Sequence, residues 1–490
     1  MSYRFFQAFQ RGIPLSLFFL LTLLAHASLV LSTGPKAADF LVKGHSLPGV
    51  SSHIGDLGDS WAGKVPISSD DCRSLFFWLW PPSEGEGDDT HTIWLQGGPG
   101  ASGLKGLLQE MGPFLLPTSR VNTSQVARNE HSLTKAGWLL AVDQPAGVGL
   151  SDGPAKAKSA VEAAKEFTTW LLNLVSIFPE LKSKKLTIVG ESYGSQYAFH
   201  IADHIFQNTN LKLTGLGIIS GILTDRKLQQ EAPLYEWAVK RQSDLHLSDA
   251  TMSDIKAEAT SDGIASFVTD HLHYPPKGPI TAPSTLPDSH SYLTAIAEAV
   301  SDRASKGCLN IYNIMDECPL AAFDPLGNPP GNYTVQRTTS DNWINNTPGF
   351  REAIHAGNST WRFYQSESPF VGGSDESPFP METELFSRVV ERMERVVISA
   401  GLDDMSLTAL GAQLALQSAT WRGKQGFQAG GFKSLKAGGG GGFNGGKYHT
   451  EDKVTLALVK GAGHEIPMYQ PEIALKLHRF LLGQIDDLDR

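Results

Sequence analysis

The chain has 490 residues, of which 41% are hydrophobic, and its formal net charge at pH 7 is −10. This length and composition are enough to bury a large core, in one domain with an insertion or in two domains. The acidic balance argues against nucleic acid and anionic membrane as partners, because both attract basic surfaces.

Residues 1–27 are predicted to be a secretory signal peptide. Arg4 and Arg11 precede an apolar run at 15–24, and the small-residue cleavage site Ala25-His26-Ala27 follows. A membrane anchor is the alternative, but the run is shorter than the ~20 apolar residues that cross a bilayer. No later stretch is long and apolar enough to span. We therefore expect a protein without a stable membrane anchor that is secreted or delivered to a lysosome or vacuole.

Four tripeptides fit the acceptor pattern for N-glycosylation, which is meaningful only in a chain that enters the secretory pathway. Their asparagines are Asn122, Asn332, Asn345 and Asn358. The three cysteines are few for an extracellular protein, and a large core removes the need for a disulfide framework. Cys308 and Cys318 are near enough in sequence for a local bridge, which would leave Cys72 free.

Residues 28–224 alternate short apolar strands with helical patterns. The predicted strands lie at Ser74–Trp80, 92–96, Trp138–Asp143, 186–189 and Leu213–Ile219. Between 161 and 178, apolar residues recur at helical spacing: Val161, Ala164, Phe167, Leu171, Leu172, Val175 and Phe178. This alternation predicts an α/β domain with a mostly parallel sheet.

The alternation stops between residues 225 and 341. Helical stretches at 234–239 and 293–300 are mixed there with Pro-rich sequence at 275–287. This composition predicts an inserted cap domain. The α/β pattern then resumes in 342–490, with strands at 396–401 and Val454–Val459.

The pentapeptide Gly190-Glu191-Ser192-Tyr193-Gly194 follows a predicted strand and precedes a helical pattern. This is the context of a nucleophile elbow, a strained turn that projects a serine hydroxyl. Glycines on both sides of the serine have a steric reason, because the turn leaves little room for Cβ atoms. A Gly-rich connection with an ordinary serine fits the pentapeptide equally well, so the rest of the chain must decide.

A serine hydroxyl needs a base, and the base needs an acceptor that holds it in the right tautomer. In α/β-hydrolases the order is Ser, Asp or Glu, then His, with the last two after later strands. Asp403 and Asp404 follow the strand at 396–401, and His464 follows Val454–Val459. A zinc motif is excluded at His464, because residue 468 is Met and no second histidine follows at helical spacing. No metal and no cofactor is expected.

With these residues the chain resembles the serine carboxypeptidase family, and most closely its retinoid-inducible serine carboxypeptidase branch. The matching motifs occur in the family's order, from about Ser60 to the C-terminus: Trp94-Leu95-Gln96-Gly97-Gly98-Pro99-Gly100-Ala101-Ser102, Asp143-Gln144-Pro145-Ala146-Gly147-Val148-Gly149, Gly190-Glu191-Ser192-Tyr193-Gly194, 401–404 and Gly463-His464-Glu465-Ile466-Pro467. The resemblance implies an α/β-hydrolase fold with a cap. It also implies an enzyme that removes C-terminal residues from peptides and proteins through an acyl-enzyme.

The resemblance assigns a role to each matching residue. Ser192 would be the nucleophile, His464 the general base and acid, and Asp404 the orienting acid, since the family places its aspartate three residues after the glycine. The backbone amides of Gly98 and Tyr193 would form the oxyanion hole. The substrate's free carboxylate would be bound by four further residues: Gln96, Gly97, Glu110 and Glu191.

The paired glutamates have a consequence that does not depend on the family. Two adjacent carboxyl groups cannot both ionise cheaply, so one keeps its proton and can donate it to a carboxylate ligand. The proton is lost as pH rises, and an anionic substrate is then repelled. Peptidase activity should therefore favour acidic pH, whereas esters and amides without a free carboxylate should tolerate higher pH. The alternative for either glutamate is a solvated or structural carboxylate.

Several residues depart from the family's pattern without touching the triad. Gln96 replaces the usual asparagine, Ala101 replaces a common cysteine, and Ser220 stands where many members have asparagine. Two rival functions therefore stay open. One is an esterase or acyltransferase that uses the same triad, and the other is a binding homologue with low activity.

Overall fold

The computed structural model of the protein describes residues 34–69, 72–85, 87–117, 125–287, 291–303, 309–316, 324–327, 340–364, 368–438 and 444–489. The chain divides into two compact units, Met1–Asp39 and Phe40–Arg490. In the described part of the first unit, the backbone amide of Lys36 donates to the Asp39 carboxylate at 2.8 Å. The predicted signal peptide, Asn122, Asn332, Cys308 and Cys318 lie outside the described residues.

The second unit is built on one large sheet. The strands in chain order are β1 (Leu41–Lys43), β2 (Asp59–Pro66), β3 (Ser74–Trp80), β4 (Thr90–Leu95), β5 (Phe114–Leu115), β6 (Ala127–Arg128), β7 (Trp138–Asp143), β8 (Lys185–Glu191), β9 (Leu213–Ile219), β10 (Arg395–Gly401), β11 (Thr420–Trp421), β12 (Lys424–Gln425), β13 (Lys433–Lys436), β14 (Asn444–Glu451) and β15 (Val454–Val459). The sheet has 11 strands in the order β1-β2-β3-β7-β4-β8-β9-β10-β15-β14-β13, and β5-β6 and β11-β12 form two small two-stranded sheets.

Six neighbouring strands in the middle of the sheet, β7-β4-β8-β9-β10-β15, pair in parallel. The strands outside them pair antiparallel. All residues of β4 and β15 are buried. Burial on both faces explains why these strands are continuous apolar runs in the sequence. The predicted mostly parallel sheet is confirmed, and the antiparallel edge strands β1, β2, β13 and β14 are additions to it.

Helices cover the sheet and fill the connections. They are α1 (Ser51–Ile54), α2 (Gly103–Gly106), α3 (Ala160–Ile177), α4 (Gly194–Asn208), α5 (Leu234–Arg241), α6 (Asp249–Ser261), α7 (Phe267–His271), α8 (Ser291–Arg303), α9 (Trp343–Asn346), α10 (Phe350–Ala353), α11 (Leu385–Val390), α12 (Ala409–Ser418), α13 (Ile466–Tyr469) and α14 (Pro471–Leu481). A π-helical turn, Leu107–Met111, continues α2. Shorter 3₁₀ turns lie at Ala37–Phe40, Gly44–Ser46, Leu133–Lys135, Pro179–Ser183 and Pro380–Glu382, and a second π turn at Lys227–Glu231. Helix α3 packs on α4, α4 packs on β8, and α14 packs on β9 and β10.

Helix α3 confirms the helical pattern predicted at 161–178, but the stripe was partly wrong. Val161 and Leu172 are 37% and 42% exposed. The buried side instead includes Trp170 and Leu174, next to Phe167. Leu171 and Leu172 are adjacent and point to different sides of α3, so only Leu171 lies on the buried face.

The long connection between β9 and β10 behaves as an insertion. Of the described residues between 220 and 394, none joins the large sheet. A second cluster of buried apolar side chains is drawn mainly from this connection, including Trp237, Ile255 and Tyr292, and it also takes in Met405 and Leu414. The helices predicted at 234–239 and 293–300 are present as α5 and α8.

The described residues contain no helix that is both long enough and apolar enough to cross a membrane.

Candidate active site

Ser192 lies at the turn between β8 and α4 with φ of +56°, a left-handed backbone conformation that is strained for a residue with a side chain. Its amide donates to the Ile219 carbonyl at 2.9 Å, which holds the turn against β9. A Cβ added at Gly190 would lie 2.3 Å from the Gly194 oxygen, and one at Gly194 would lie 2.3 Å from the Leu95 oxygen. Both contacts are far inside van der Waals distance, so the two glycines are required by the elbow.

Asp404 and His464 form a buried pair. Asp404 Oδ2 lies 2.7 Å from His464 Nδ1, and Asp404 Oδ1 accepts from the Leu407 amide at 3.0 Å. The neighbouring Asp403 points elsewhere, since its Oδ1 lies 2.8 Å from the Arg241 guanidinium. The structure thus places Asp404, and not Asp403, on the histidine.

Sheet order explains how residues so far apart in sequence come together. Strands β8, β9, β10 and β15 are consecutive and parallel, so their carboxyl ends share one edge. Ser192 follows β8, Asp404 follows β10 and His464 follows β15. The Asp403 amide donates to the Ala462 carbonyl at 2.9 Å, which joins the acid loop to the histidine loop.

The charge around His464 favours its protonated form. Burial alone would lower the pKa of His464, but the Asp404 carboxylate and its hydrogen bond, with Glu465 and Glu110, raise the pKa above its ordinary value. Because a general base must be neutral, this raised pKa limits activity on the acid side.

The insertion contributes a residue to the histidine loop. The His464 amide donates to the Tyr312 carbonyl at 2.7 Å, and the two rings lie 5.0 Å apart. Sequence reasoning did not identify Tyr312, because this contact depends on how the insertion folds back onto the sheet.

The loop after β4 passes directly over the elbow. A Cβ at Gly97 would lie 2.6 Å from Ser192 Cβ and 2.9 Å from the Tyr193 nitrogen. Gly98 follows with φ of +113°, a conformation that favours glycine. The structure therefore brings the backbone of 97–98 beside the serine and the Tyr193 amide, where an oxyanion hole is expected.

A carboxylate cluster lies beside the elbow. Gln96 Nε2 donates to Glu191 Oε1 at 2.5 Å, and Trp94 Nε1 fixes the amide by donating to Gln96 Oε1 at 2.9 Å. Glu110 and Glu191 are both buried. Their Oε2 atoms are also buried, and among the described residues no hydrogen-bond donor reaches either oxygen. A proton on either glutamate would supply the donor that these oxygens lack.

Burial, followed by the Glu110 carboxylate, raises the pKa of Glu191 well above its usual range, although Lys105 opposes the shift. Glu191 is thus set to keep its proton under conditions in which a solvated glutamate is ionised. The two glutamates that the sequence singled out are neighbours, as the paired-carboxyl hypothesis requires.

Two further members of the cluster were missed. The Lys105 ammonium lies 3.0 Å from Glu110 Oε1 and 2.5 Å from Glu465 Oε1. Oxygens of Glu110, Glu191 and Glu465 all lie within 4.8 Å of one another. Lys105 already supplies positive charge to two of these carboxylates. No short motif could have revealed Lys105, because its partner Glu465 is 360 residues away.

Tyr193 is anchored through its side chain. Its hydroxyl donates to Asp375 Oδ2, and Asp375 Oδ1 accepts from the amides of Ala160 at 2.8 Å and Ser377 at 2.9 Å. The residue after the nucleophile is thereby tied to the start of α3. Asp375 carried no signal in the sequence.

The motif that starts at Asp143 supports the loop over the elbow. Asp143 accepts from Ser102 Oγ at 2.5 Å and from the Leu150 amide at 2.8 Å, and Trp361 Nε1 donates to Ser102 Oγ at 2.8 Å. These buried contacts hold the end of the Gly-rich loop where α2 begins.

The remaining predicted residues lie away from the cluster. Cys72 is free and exposed. Asn358 is exposed. Asn345 is half-buried, and its Nδ2 donates to the carbonyls of Ser340 and Trp361, both at 2.9 Å.

A serine at a strained elbow and an Asp-His pair, all at the carboxyl edge of a parallel sheet, define a serine hydrolase of the α/β-hydrolase fold. The family model described as "Serine carboxypeptidase" matches residues 48–483. The chain belongs to the serine carboxypeptidase family and is a serine-type carboxypeptidase.

Individual relatives agree with this assignment. The chain is 32% identical to a "Probable serine carboxypeptidase" of Arthroderma benhamiae, covering 93% of this chain and 88% of the relative. It is 30% identical to "Serine-type carboxypeptidase F" of Aspergillus niger, covering 90% and 87%. The fold is similar to that of Kex1(delta)p, a prohormone-processing carboxypeptidase from Saccharomyces cerevisiae, with a TM-score of 0.71, 22% identity and coverage of 93% of this chain and 99% of that chain.

Proposed function

We propose that Ser192, His464 and Asp404 carry out the carboxypeptidase reaction through an acyl-enzyme. Ser192 Oγ attacks the carbonyl carbon of the last peptide bond while its proton passes to His464 Nε2. The amide N–H groups of Gly98 and Tyr193 stabilise the oxyanion. The leaving amine takes the proton from His464. Water then attacks the acyl-enzyme ester and gives a proton to His464. The bond between the acyl carbon and Ser192 Oγ breaks as His464 returns this proton to Oγ, and the shortened peptide is released.

The observation that carries this proposal is the 2.7 Å contact between Asp404 Oδ2 and His464 Nδ1. It fixes the tautomer in which Nε2 is free to accept a proton. A fluorophosphonate probe followed by mass spectrometry tests the nucleophile. The probe should label Ser192, and absence of labelling would favour a binding homologue with little activity.

We also propose that the substrate is a peptide or protein with a free C-terminal carboxylate. Gln96, the backbone at Gly97 and the proton shared by Glu110 and Glu191 would bind that carboxylate. The support is the buried pair of glutamates with Gln96 donating to one of them at 2.5 Å. Loss of the proton with rising pH makes the peptide optimum more acidic than the optimum for substrates without a carboxylate.

A blocked dipeptide and its C-terminal amide test this assignment. The free acid should be preferred at acidic pH, and the preference should fade as pH rises. Equal rates for the two substrates at every pH would favour an esterase or acyltransferase that uses the same triad.

We further propose that residues 1–27 are removed as a signal peptide and that the protein reaches the exterior or a lysosome or vacuole. N-terminal sequencing of the mature enzyme tests the cleavage near Ala27.

Residues 225–341 would act as the cap, supported by the contact between Tyr312 and His464. Membership of the retinoid-inducible branch stays a prediction, and the Arthroderma benhamiae and Aspergillus niger relatives are fungal.

A further inference from the structure

Lys105, which is buried, and Glu465, which is half-buried, form an ion pair that the proposed reaction does not use. The Lys105 side chain is 5% exposed and that of Glu465 is 19% exposed, with 2.5 Å between Nζ and Oε1. Burying an ammonium group costs several kcal/mol, and apolar replacements of buried ion pairs are often neutral or stabilising. Stability is therefore a weak reason for placing a lysine here.

The pair joins two segments that each carry part of the site. Lys105 lies on α2, just before the π turn Leu107–Met111. A π turn brings side chains five residues apart together, which lets Lys105 reach Glu110 at 3.0 Å. Glu465 directly follows His464. The helical segment that carries Glu110 and the loop that carries His464 are thus connected through the Lys105 ammonium group.

The two partners act on Glu191 in opposite directions. Glu110 and Glu465 each place a carboxylate oxygen within 4.8 Å of a Glu191 oxygen, and the Lys105 ammonium contacts both of these carboxylates. The positive charge of Lys105 favours the ionised form of Glu191, whereas the carboxylates of Glu110 and Glu465 favour the protonated form. Within the described residues, titratable groups that also interact with members of this cluster include Asp324, Tyr312, Tyr364 and His464.

We propose that Lys105 and Glu465 are positioning residues that set the pH range over which the site accepts a free C-terminal carboxylate. They act through Glu191, whose proton donates to the substrate. Loss of the Lys105 charge makes that proton harder to remove, and loss of the Glu465 charge makes it easier to remove. The inference rests on the proposed carboxylate site.

The proposal predicts that the alkaline limb of the pH profile shifts in opposite directions when Lys105 and Glu465 are changed separately. In Lys105→Met, the pH at which kcat/KM for a blocked dipeptide falls on the alkaline side should rise by about one pH unit, and in Glu465→Gln it should fall by a similar amount. A pair that only held two loops together would give shifts of the same sign, because each variant breaks the same contact.

The measurement is kcat/KM against pH for the dipeptide and its C-terminal amide, using the mature full-length enzyme. The alkaline limb for the amide should not move, since this substrate has no carboxylate to bind. Glu166→Gln is the matched control. It breaks an ion pair in which Glu166 Oε1 lies 2.7 Å from Arg73 Nη2, with the Glu166 side chain 22% exposed and that of Arg73 4% exposed. This variant should lower stability without moving the alkaline limb for either substrate.

Lys105→Arg keeps the charge and should keep the wild-type limb. If Lys105→Met does not fold, Lys105→Arg and Glu465→Gln decide whether the ion pair sets the pH range or only holds the two loops together. An unmoved limb in Glu465→Gln, or shifts of the same sign in both charge-removing variants, would overturn the proposal. Failure of the carboxylate site itself looks different, because the wild-type profiles for peptide and amide would then coincide.

Discussion

The proposed triad and the carboxylate cluster lie at the same edge of the sheet but are assembled differently. Each triad residue follows its own parallel strand, so its position is set by a short motif and by the sheet order. The cluster brings Glu110 and Lys105 from one helix together with Glu191 and with Glu465 from the histidine loop. Local motifs thus specify the proposed triad, whereas contacts between distant segments assemble the site that we propose for the substrate's carboxylate.

The largest expected effect is at Ser192. Ser192→Ala removes the nucleophile and should lower kcat/KM for the blocked dipeptide by at least about 10⁴-fold, with the melting temperature little changed. Ser195→Ala is the matched control, because Ser195 Oγ lies 2.7 Å from the carbonyl oxygens of Ser192 and of Ile222, and its single hydroxyl proton can be donated to either one. It should reduce stability but keep probe labelling. Turnover near the wild-type rate in Ser192→Ala would refute the triad.

Variants of the adjacent residues Asp404 and Asp403 test which of the two carboxylates orients His464. Asp404→Asn should lower kcat by about 10³ to 10⁴-fold, because an amide at this position favours the wrong tautomer of His464. Asp403→Asn should lower kcat less than about tenfold, since its partner is Arg241, and should act mainly on stability. Steady-state kinetics on both variants decide the assignment, and equal losses in kcat would contradict it.

Glu191→Gln sharpens the comparison by changing the cluster and leaving the triad intact. The raised pKa of Glu191 means that its proton is present at low pH and lost as pH rises through that pKa. Without a titrating group at this position, the alkaline rise in KM for the dipeptide should flatten, with a loss of about tenfold in kcat/KM at acidic pH. The amide's pH profile should stay unchanged. Identical changes for both substrates would remove Glu191 from carboxylate binding.

The central strands and the elbow could be predicted because both depend on short-range rules, whereas the choice of Asp404 over Asp403 came from the family resemblance. Burial on both faces makes a strand apolar, and a strained turn requires Gly190 and Gly194. The edge strands β1, β2, β13 and β14 were not predicted, since they alternate buried and exposed residues or contain glycine and lysine. The contacts of Lys105 and Asp375 could not be predicted, because their partners come from distant segments.

Asn345 and Asn358 provide the smallest effect and test the limit of local patterns, since both fit the same acceptor motif. Asn358 is exposed and should carry a glycan in enzyme from a secretory host. Asn345 Nδ2 already donates to two carbonyls, and Asn345 Oδ1 accepts from the Trp361 amide at 3.0 Å, so it should be unmodified. Peptide mapping after enzymatic deglycosylation in ¹⁸O water measures both sites.

Asn345→Ala should lower the free energy of unfolding by about 1–3 kcal/mol, because it leaves backbone groups unpaired, whereas Asn358→Ala should change stability and activity little. A glycan on Asn345 in the folded enzyme would show that this segment rearranges.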